Sequence, residues 1–272
     1  MYKFPVGSVL FKDKQIAINS IRIYYSWFNI NFQVYSNATC SYTWFDGKTY
    51  YFTTGSTVGN IPNMFADIAV LNTYLQYVFI QNKHYLINSA GQNVYFIELK
   101  ANAQYYNVQL NIFALDAAIA STNTWSLPAG ATWVIPAAPQ TPYFNVLSTS
   151  NFNALIGFNY GVYPPTLQTS NYSINSQITP QIAPVTSLIT LCSLINSPYS
   201  TPSQIIYSFS PDVPFGTQII SDPPNFSFQD IQQGYVTQFS ITFVDQDGRN
   251  IQLIDTNLLI VLLIKDKQEY LL

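Results

Sequence analysis

The feature that most narrows the fold is a short palindrome-like stretch around Asp46-Gly47. Ser41-Tyr42-Thr43-Trp44-Phe45 leads into these two residues and Lys48-Thr49-Tyr50-Tyr51-Phe52 leads out. Aromatic and β-branched residues fit a pleated, half-buried surface. Asp-Gly between two such runs predicts a tight antiparallel hairpin with both turn residues left-handed. The same texture recurs along the chain. Strands are predicted at Ile16–Tyr25, Phe28–Tyr35, Tyr85–Asn88, Asn93–Lys100 and Tyr105–Phe113, with Asn102-Ala103-Gln104 between the last two. They resume at Ser187–Ile195, Gln204–Phe209, Tyr235–Val244 and Leu258–Ile264, and Asp245-Gln246-Asp247-Gly248 marks a turn.

One helix interrupts this pattern. Asn60 suits its N-cap and Pro62 its first turn, while Met64, Phe65, Ile68, Leu71, Leu75, Val78 and Phe79 recur at three- and four-residue steps. Asn63, Asp67, Asn72 and Gln76 fall largely on the other face, and the helix is expected to end near Asn82. A second, short helical segment is predicted at Asn151–Phe158. The expected fold is all-β: a single jelly-roll β-sandwich with one amphipathic helix (about 61–82) in an inter-strand connection and long loops. Residues 1–15 are read as an N-terminal arm carrying Lys3, Lys12 and Lys14, and 16–272 as one domain. Within it 116–184 is loop-rich, a region that projects or forms an interface.

Charge is scarce. Only 8% of the 272 residues are charged and the formal net charge is −3, against roughly 25% charged in average chains. From Ala117 to Pro211 there is no Asp, Glu, Lys or Arg. Such a chain buries enough apolar surface to fold, the opposite of a disordered composition. Ten scattered basic residues leave no electrostatic footprint for nucleic acid. No apolar run reaches the roughly 20 residues of a membrane span, and the first residues lack a signal-peptide core. The protein is expected to be soluble and not secreted through a signal peptide.

Catalytic chemistry finds few carriers. The only histidine, His84, stands at the helix-to-strand junction, where a capping or partly exposed role is expected, with no carboxylate near it in sequence. General acid–base work needs a partner within hydrogen-bond reach. Most aspartates sit in turn contexts, which they favour through bonds to their own backbone. The Asp245–Gly248 segment lacks the glycine and glutamate positions of a calcium loop. Gly55-Ser56-Thr57-Val58-Gly59 is neither a phosphate loop nor a nucleophile elbow. One histidine and two distant cysteines cannot complete a zinc site. Cys40 and Cys192 are expected as buried reduced thiols. No catalytic, cofactor-binding or metal-binding residue is assigned, and no cofactor is expected.

What remains is surface. Many Tyr, Asn, Gln, Ser and Thr with little charge resemble interface composition, and a chain short of lysine has little with which to blunt strand edges. Several stretches also resemble a known family. They are YSWFNI at 25–30, SYTWFDGKTYYF at 41–52, GQNVYFIEL at 91–99, YYNVQL at 105–110, NFNALIGF at 151–158, GVYP at 161–164 and TPQIAPV at 179–185. YSFSP at 207–211, PPNF at 223–226, FSITFVDQDGRNIQL and LLIVLLIK complete the set. Together they resemble the minor capsid (penton) proteins of virophages, polinton-like viruses and related large DNA viruses.

The resemblance implies a jelly-roll structural protein of the virion. Such a protein forms a homopentamer at the five-fold vertices of an icosahedral capsid, contacting the double jelly-roll major capsid protein and in some cases other minor capsid proteins. It also implies assembly inside the host cell. The family often carries an inserted outer domain, and the composition shows no clear break for one. Two alternatives stay open: another capsid role, as cement protein or trimeric capsomer subunit, and a carbohydrate-binding jelly-roll module. In the latter Trp125 and Trp133, in loop territory, would form the stacking platform, while Trp27 and Trp44 belong to strands and core.

Overall fold

A computed structural model describes residues 1–30, 34–35, 37–54, 67–198 and 200–267. The fold is all-β and jelly-roll-like, built from short antiparallel sheets that do not close into a barrel. Its contacts divide into two compact units where the sequence leads one to expect a single domain over 16–272. Phe28–Pro184 forms a central unit, and Met1–Trp27 with Val185–Leu272 forms a terminal unit. The central unit is continuous in sequence and lies between the two segments of the terminal unit.

In the central unit one sheet runs in the order Gly161–Tyr163, Tyr143–Val146, Ala38–Thr43, Thr49–Thr54. A second runs Tyr172–Asn175, Asn107–Ile112, Ile97–Asn102. The hairpin at Asp46-Gly47 forms, with Thr43 opposite Thr49, but only Gly47 is left-handed. Asp46 keeps an ordinary backbone because its carboxylate holds the turn instead, accepting from Lys48 N at 3.0 Å and from the Tyr50 hydroxyl at 2.9 Å.

The helix Ile68–Asn82 packs against strand Ile97–Asn102 through Ile68, Leu71, Leu75, Val78 and Phe79, the spacing read from the sequence. Asp67 caps it by accepting from Val70 N; the expected cap at Asn60, Pro62 and the Gly55–Gly59 segment lie outside the described residues. The helix's other face is less polar than expected, since Val70 and Tyr77 are exposed on it. Two shorter helices follow. Ala117–Thr122 is capped by Asp116, and Phe152–Ile156 ends at left-handed Gly157. Phe152–Ile156 falls within the short helical segment expected at 151–158, Ala117–Thr122 is unexpected, and strands Tyr143–Val146, Gly161–Tyr163 and Tyr172–Asn175 lie in the same loop-rich region. One continuous core joins these elements, with Tyr42, Phe79, Phe96, Phe144, Phe152 and Phe158 fully buried.

The terminal unit is built on two central strands. Lys14–Tyr24 pairs on one edge with Leu259–Asp266 and on the other with Gln218–Ser221 and Gln229–Asp230. Leu188–Cys192 lies between Ile205–Phe209 and Ile241–Asp245. Residues 1–15, read as an arm, are tied into this unit. Tyr2–Lys3 pairs with Gln238–Phe239, Val9–Phe11 pairs with Gly234–Val236, and Lys14 already belongs to the central strand. Aromatic packing of Phe4 on Phe11 and Phe239 fastens the first residues. Cys40 and Cys192 are both buried free thiols, one in each unit.

Candidate assembly surface

Seven consecutive aliphatic residues, Leu258–Ile264, read as a strand buried on both faces, because a continuous apolar run has no polar side to offer water. The strand forms, yet not one of those residues is buried. Its single ladder partner among the described residues is Lys14–Tyr24, so its outer edge is open. Ile260, Leu262 and Ile264 face a groove of about 680 Å³, which Ile241 and Phe243 line from the second sheet, Ile251 and Leu253 from the segment that follows it, and Met1, Tyr2, Phe4 and Phe239 from the first residues and their partner strand. No charged side chain lines it. The sandwich is thus open along this flank.

The opposite flank is open too. Ile205–Phe209 is the other edge of the second sheet, and Gln218–Ser221 with Gln229–Asp230 the other edge of the first. The Tyr207 hydroxyl and Ser221 Oγ join the two edges at 3.1 Å. A groove of about 500 Å³ runs here, lined by Ser197, Ser200, Tyr207, Ser208, Ser227 and Gln229 among others, again without a charge. Ile220 and Phe226 stand exposed nearby.

Among the described residues, five ion pairs tie charges of this unit together. At one end of the first sheet Lys14 meets Asp266 at 2.6 Å and Lys267 meets Asp230 at 2.6 Å, while Arg22 takes both oxygens of Asp222 farther along. In the Asp245–Gly248 turn, buried Asp245 accepts from the backbone of Asp247 and Arg249 and from Arg249 Nε at 2.6 Å. These pairs neutralise the ends and turns of the strands and leave both grooves uncharged. Pairing with Arg22 lowers the Asp222 pKa and pairing with Lys267 lowers that of Asp230.

In the central unit His84 is buried rather than partly exposed. Left-handed Lys83 ends the helix and turns the chain so that His84 points into the core. Its ring stacks on Trp44 at 4.7 Å and meets Tyr50 edge-on at 4.4 Å. Nδ1 shares a 2.8 Å hydrogen bond with the Tyr42 hydroxyl, whose oxygen also accepts from Asn82 Nδ2 at 2.9 Å. Because Asn82 donates, the hydroxyl proton is left for Nδ1, and the hydrogen-bond network assigns the imidazole's own proton to Nε2. Burial lowers the His84 pKa to about 4, with Asp46 opposing weakly. Burial and the bond to Asp46 push the Tyr50 phenol up to about 12. The Tyr42, Asn82 and His84 hydrogen bonds form a core network, while the buried Trp44 Nε1 has no hydrogen-bond partner among the described residues.

The tryptophans separate. Trp27 and Trp44 are core residues, as expected, and so is Trp133, only 3% exposed and donating from Nε1 to Lys83 O at 2.7 Å. Trp133 therefore offers no stacking face. Trp125 does line a pocket of about 350 Å³ with Tyr95, Phe96, Phe113 and Asn171. No helix among the described residues is long and apolar enough to cross a membrane, and they contain no cluster of three or more metal-ligating side chains. The open flanks escaped the sequence reading because exposure is decided by distant strands. The signal was there in Leu258–Ile264, a run without alternation for which one chain supplies only one covering neighbour.

No family model matches the chain, and no curated protein does. Among solved structures it is similar to the crystal structure of the mavirus penton protein, with a TM-score of 0.43 and 9% identity over 96% of this chain and 89% of that one. It is also similar to a chain in the cryo-electron microscopy structure of the Sputnik virophage, with a TM-score of 0.39 and 13% identity over 96% of this chain and 92% of that one.

Proposed function

We propose that this chain is a structural virion protein: a penton, or minor capsid, protein that forms a homopentamer at the five-fold vertices of an icosahedral capsid and contacts a double jelly-roll major capsid protein. Its work is assembly rather than catalysis. One observation carries the reading, the uncovered aliphatic run Leu258–Ile264 along strand Leu259–Asp266, beside a groove that no charged side chain lines. Fully burying an aliphatic side chain is worth roughly 1.5–3 kcal/mol relative to leaving it exposed. Seven such residues left half-covered therefore withhold several kcal/mol, which a neighbouring subunit can recover. The motif resemblance over most of the chain supplies the kind of neighbour.

The test is the solution mass of the purified protein, by light scattering after size exclusion over a range of salt. A species near five times 30.7 kDa is expected, and it should persist at high salt because apolar contacts are not screened. A trimer would favour a capsomer or cement role. A monomer at every salt and concentration would overturn the assembly reading.

A further inference from the structure

The terminal unit has two open flanks on opposite sides of one sandwich, and the structure assigns them to each other. We infer that the apolar flank of one copy, Leu258–Ile264 with its groove, seats on the serine-rich flank of a second copy, formed by Ile205–Phe209, Gln218–Ser221 and Ser227. The inference rests on the assembly reading and says which surfaces make the contact.

Three observations select a second copy as the occupant. First, no charged side chain lines either groove, and five ion pairs among the described residues hold charges of the unit at strand ends and turns. A charged partner would lose its hydration in either groove without finding a counter-ion, whereas the uncharged flank of this same chain does not. Second, both flanks end in strand edges, whose unpaired N–H and C=O groups must find partners once water is excluded. An edge satisfies an edge. Third, the two flanks differ in chemistry and lie on opposite sides of the strand Lys14–Tyr24, where Ile220 and Leu259 both pair with Arg22. A contact between different patches is head-to-tail, so it continues from copy to copy and makes a ring when the rotation per copy closes, which a two-fold contact between identical patches cannot do.

Leu258 is 47% exposed and lines the apolar groove, and exposed Ser208 lines the serine-rich one, so each can be changed without opening the subunit's core. Leu258→Asp breaks one flank and Ser208→Asp the other; Leu258→Lys repeats the first with the opposite charge. Far-ultraviolet circular dichroism confirms that each variant folds. Each variant alone should run as a monomer at the concentration where the wild type assembles. An equimolar mixture of Leu258→Asp and Ser208→Asp should form a one-to-one dimer and stop there, because it contains one intact pair of flanks. Loss of assembly in Leu258→Asp alone, with Ser208→Asp unaffected, would overturn the head-to-tail pairing, as would a mixture that stays monomeric. If both variants assemble like the wild type, these flanks are not the interface although the assembly reading stands. A monomeric wild type would remove both.

Discussion

The central and terminal units use similar strands and finish them differently. In the central unit the sheet strand Ile97–Asn102 is covered by the helix Ile68–Asn82, and the largest aromatics are sealed inside. In the terminal unit the strand Lys14–Tyr24 buries Ile16, Ile18, Ile21 and Ile23, yet its equally apolar neighbour Leu259–Asp266 buries nothing. All three helices among the described residues belong to the central unit. The difference is therefore one of cover and not of strand chemistry. Among the described residues a helix covers the central unit's sheet, and no element covers the outer edge of Leu259–Asp266 in the terminal unit.

The widest gap should appear on truncating one apolar side chain in each unit. Phe144, on strand Tyr143–Val146, is fully buried against Phe152, so Phe144→Ala should cost about 3–5 kcal/mol, the transfer term plus an unfilled cavity. Leu259→Ala should cost below about 0.5 kcal/mol in the dissociated subunit, as surface changes do, and show its effect in assembly instead. Urea titration of monomeric protein measures both. Equal losses would erase the contrast between the units.

A pH titration separates them next. His84 has a folded pKa of about 4 against an unfolded value of about 6.5. Between those values the unfolded chain binds more protons, so stability is constant above about pH 6.5 and falls as pH drops towards 4, by up to about 3 kcal/mol. Protonation would also leave the Tyr42 hydroxyl facing a second donor. His84 is the only histidine, and the paired aspartates of the terminal unit, with pKa values lowered from 3.8, titrate below this window. Hydrogen exchange at pH 7 and 5 should loosen Ile97–Asn102 while leaving Lys14–Tyr24 unchanged. His84→Gln should abolish the slope, and an unaltered slope in that variant would locate the protons elsewhere.

Where the sequence could be read, local chemistry decided the structure. Asp46-Gly47 between aromatic runs names a hairpin, and the three- and four-residue steps from Ile68 to Phe79 name a helix face. The division into units left no such trace. Trp27-Phe28 and Pro184-Val185 sit in the same uncharged, aromatic texture as their surroundings, so composition shows no border there. Ala117–Thr122 is too short for a periodic stripe, and Asp116 as its cap was the one available sign. His84 was misjudged because its neighbours Tyr42, Trp44 and Tyr50 arrive through the hairpin, from about forty positions upstream. Leu258–Ile264 was legible as a strand, but whether anything covers it is a long-range fact.

The helix that completes the central unit also tests how much its termini matter. Asp67 accepts from Val70 N at 2.8 Å, satisfying one of the helix's first unpaired donors. Asp67→Ala should cost about 1 kcal/mol, read in the thermal unfolding of the whole chain. Asp67→Ser, which restores an acceptor, should recover most of it. If Ala and Ser behave alike, the cap contributes nothing and the buried stripe alone holds the helix.

The smallest expected effect is a gain. Lys83 closes the helix at φ 60, where its N–H reaches the carbonyls of Ile80 and Phe79. That left-handed backbone costs a residue with a Cβ roughly 1–2 kcal/mol, and glycine avoids the cost but loses roughly 0.5–1 kcal/mol more entropy on ordering. Lys83→Gly should therefore stabilise the central unit by about 0.5 kcal/mol. The substitution keeps the backbone carbonyl that accepts from Trp133 Nε1, so the core contact at this junction is untouched. A melting temperature raised by about 1–2 °C would match a change of that size in a domain this large. A lowered one would mean that the lysine side chain, exposed though it is, contributes more to the junction than the strain it carries.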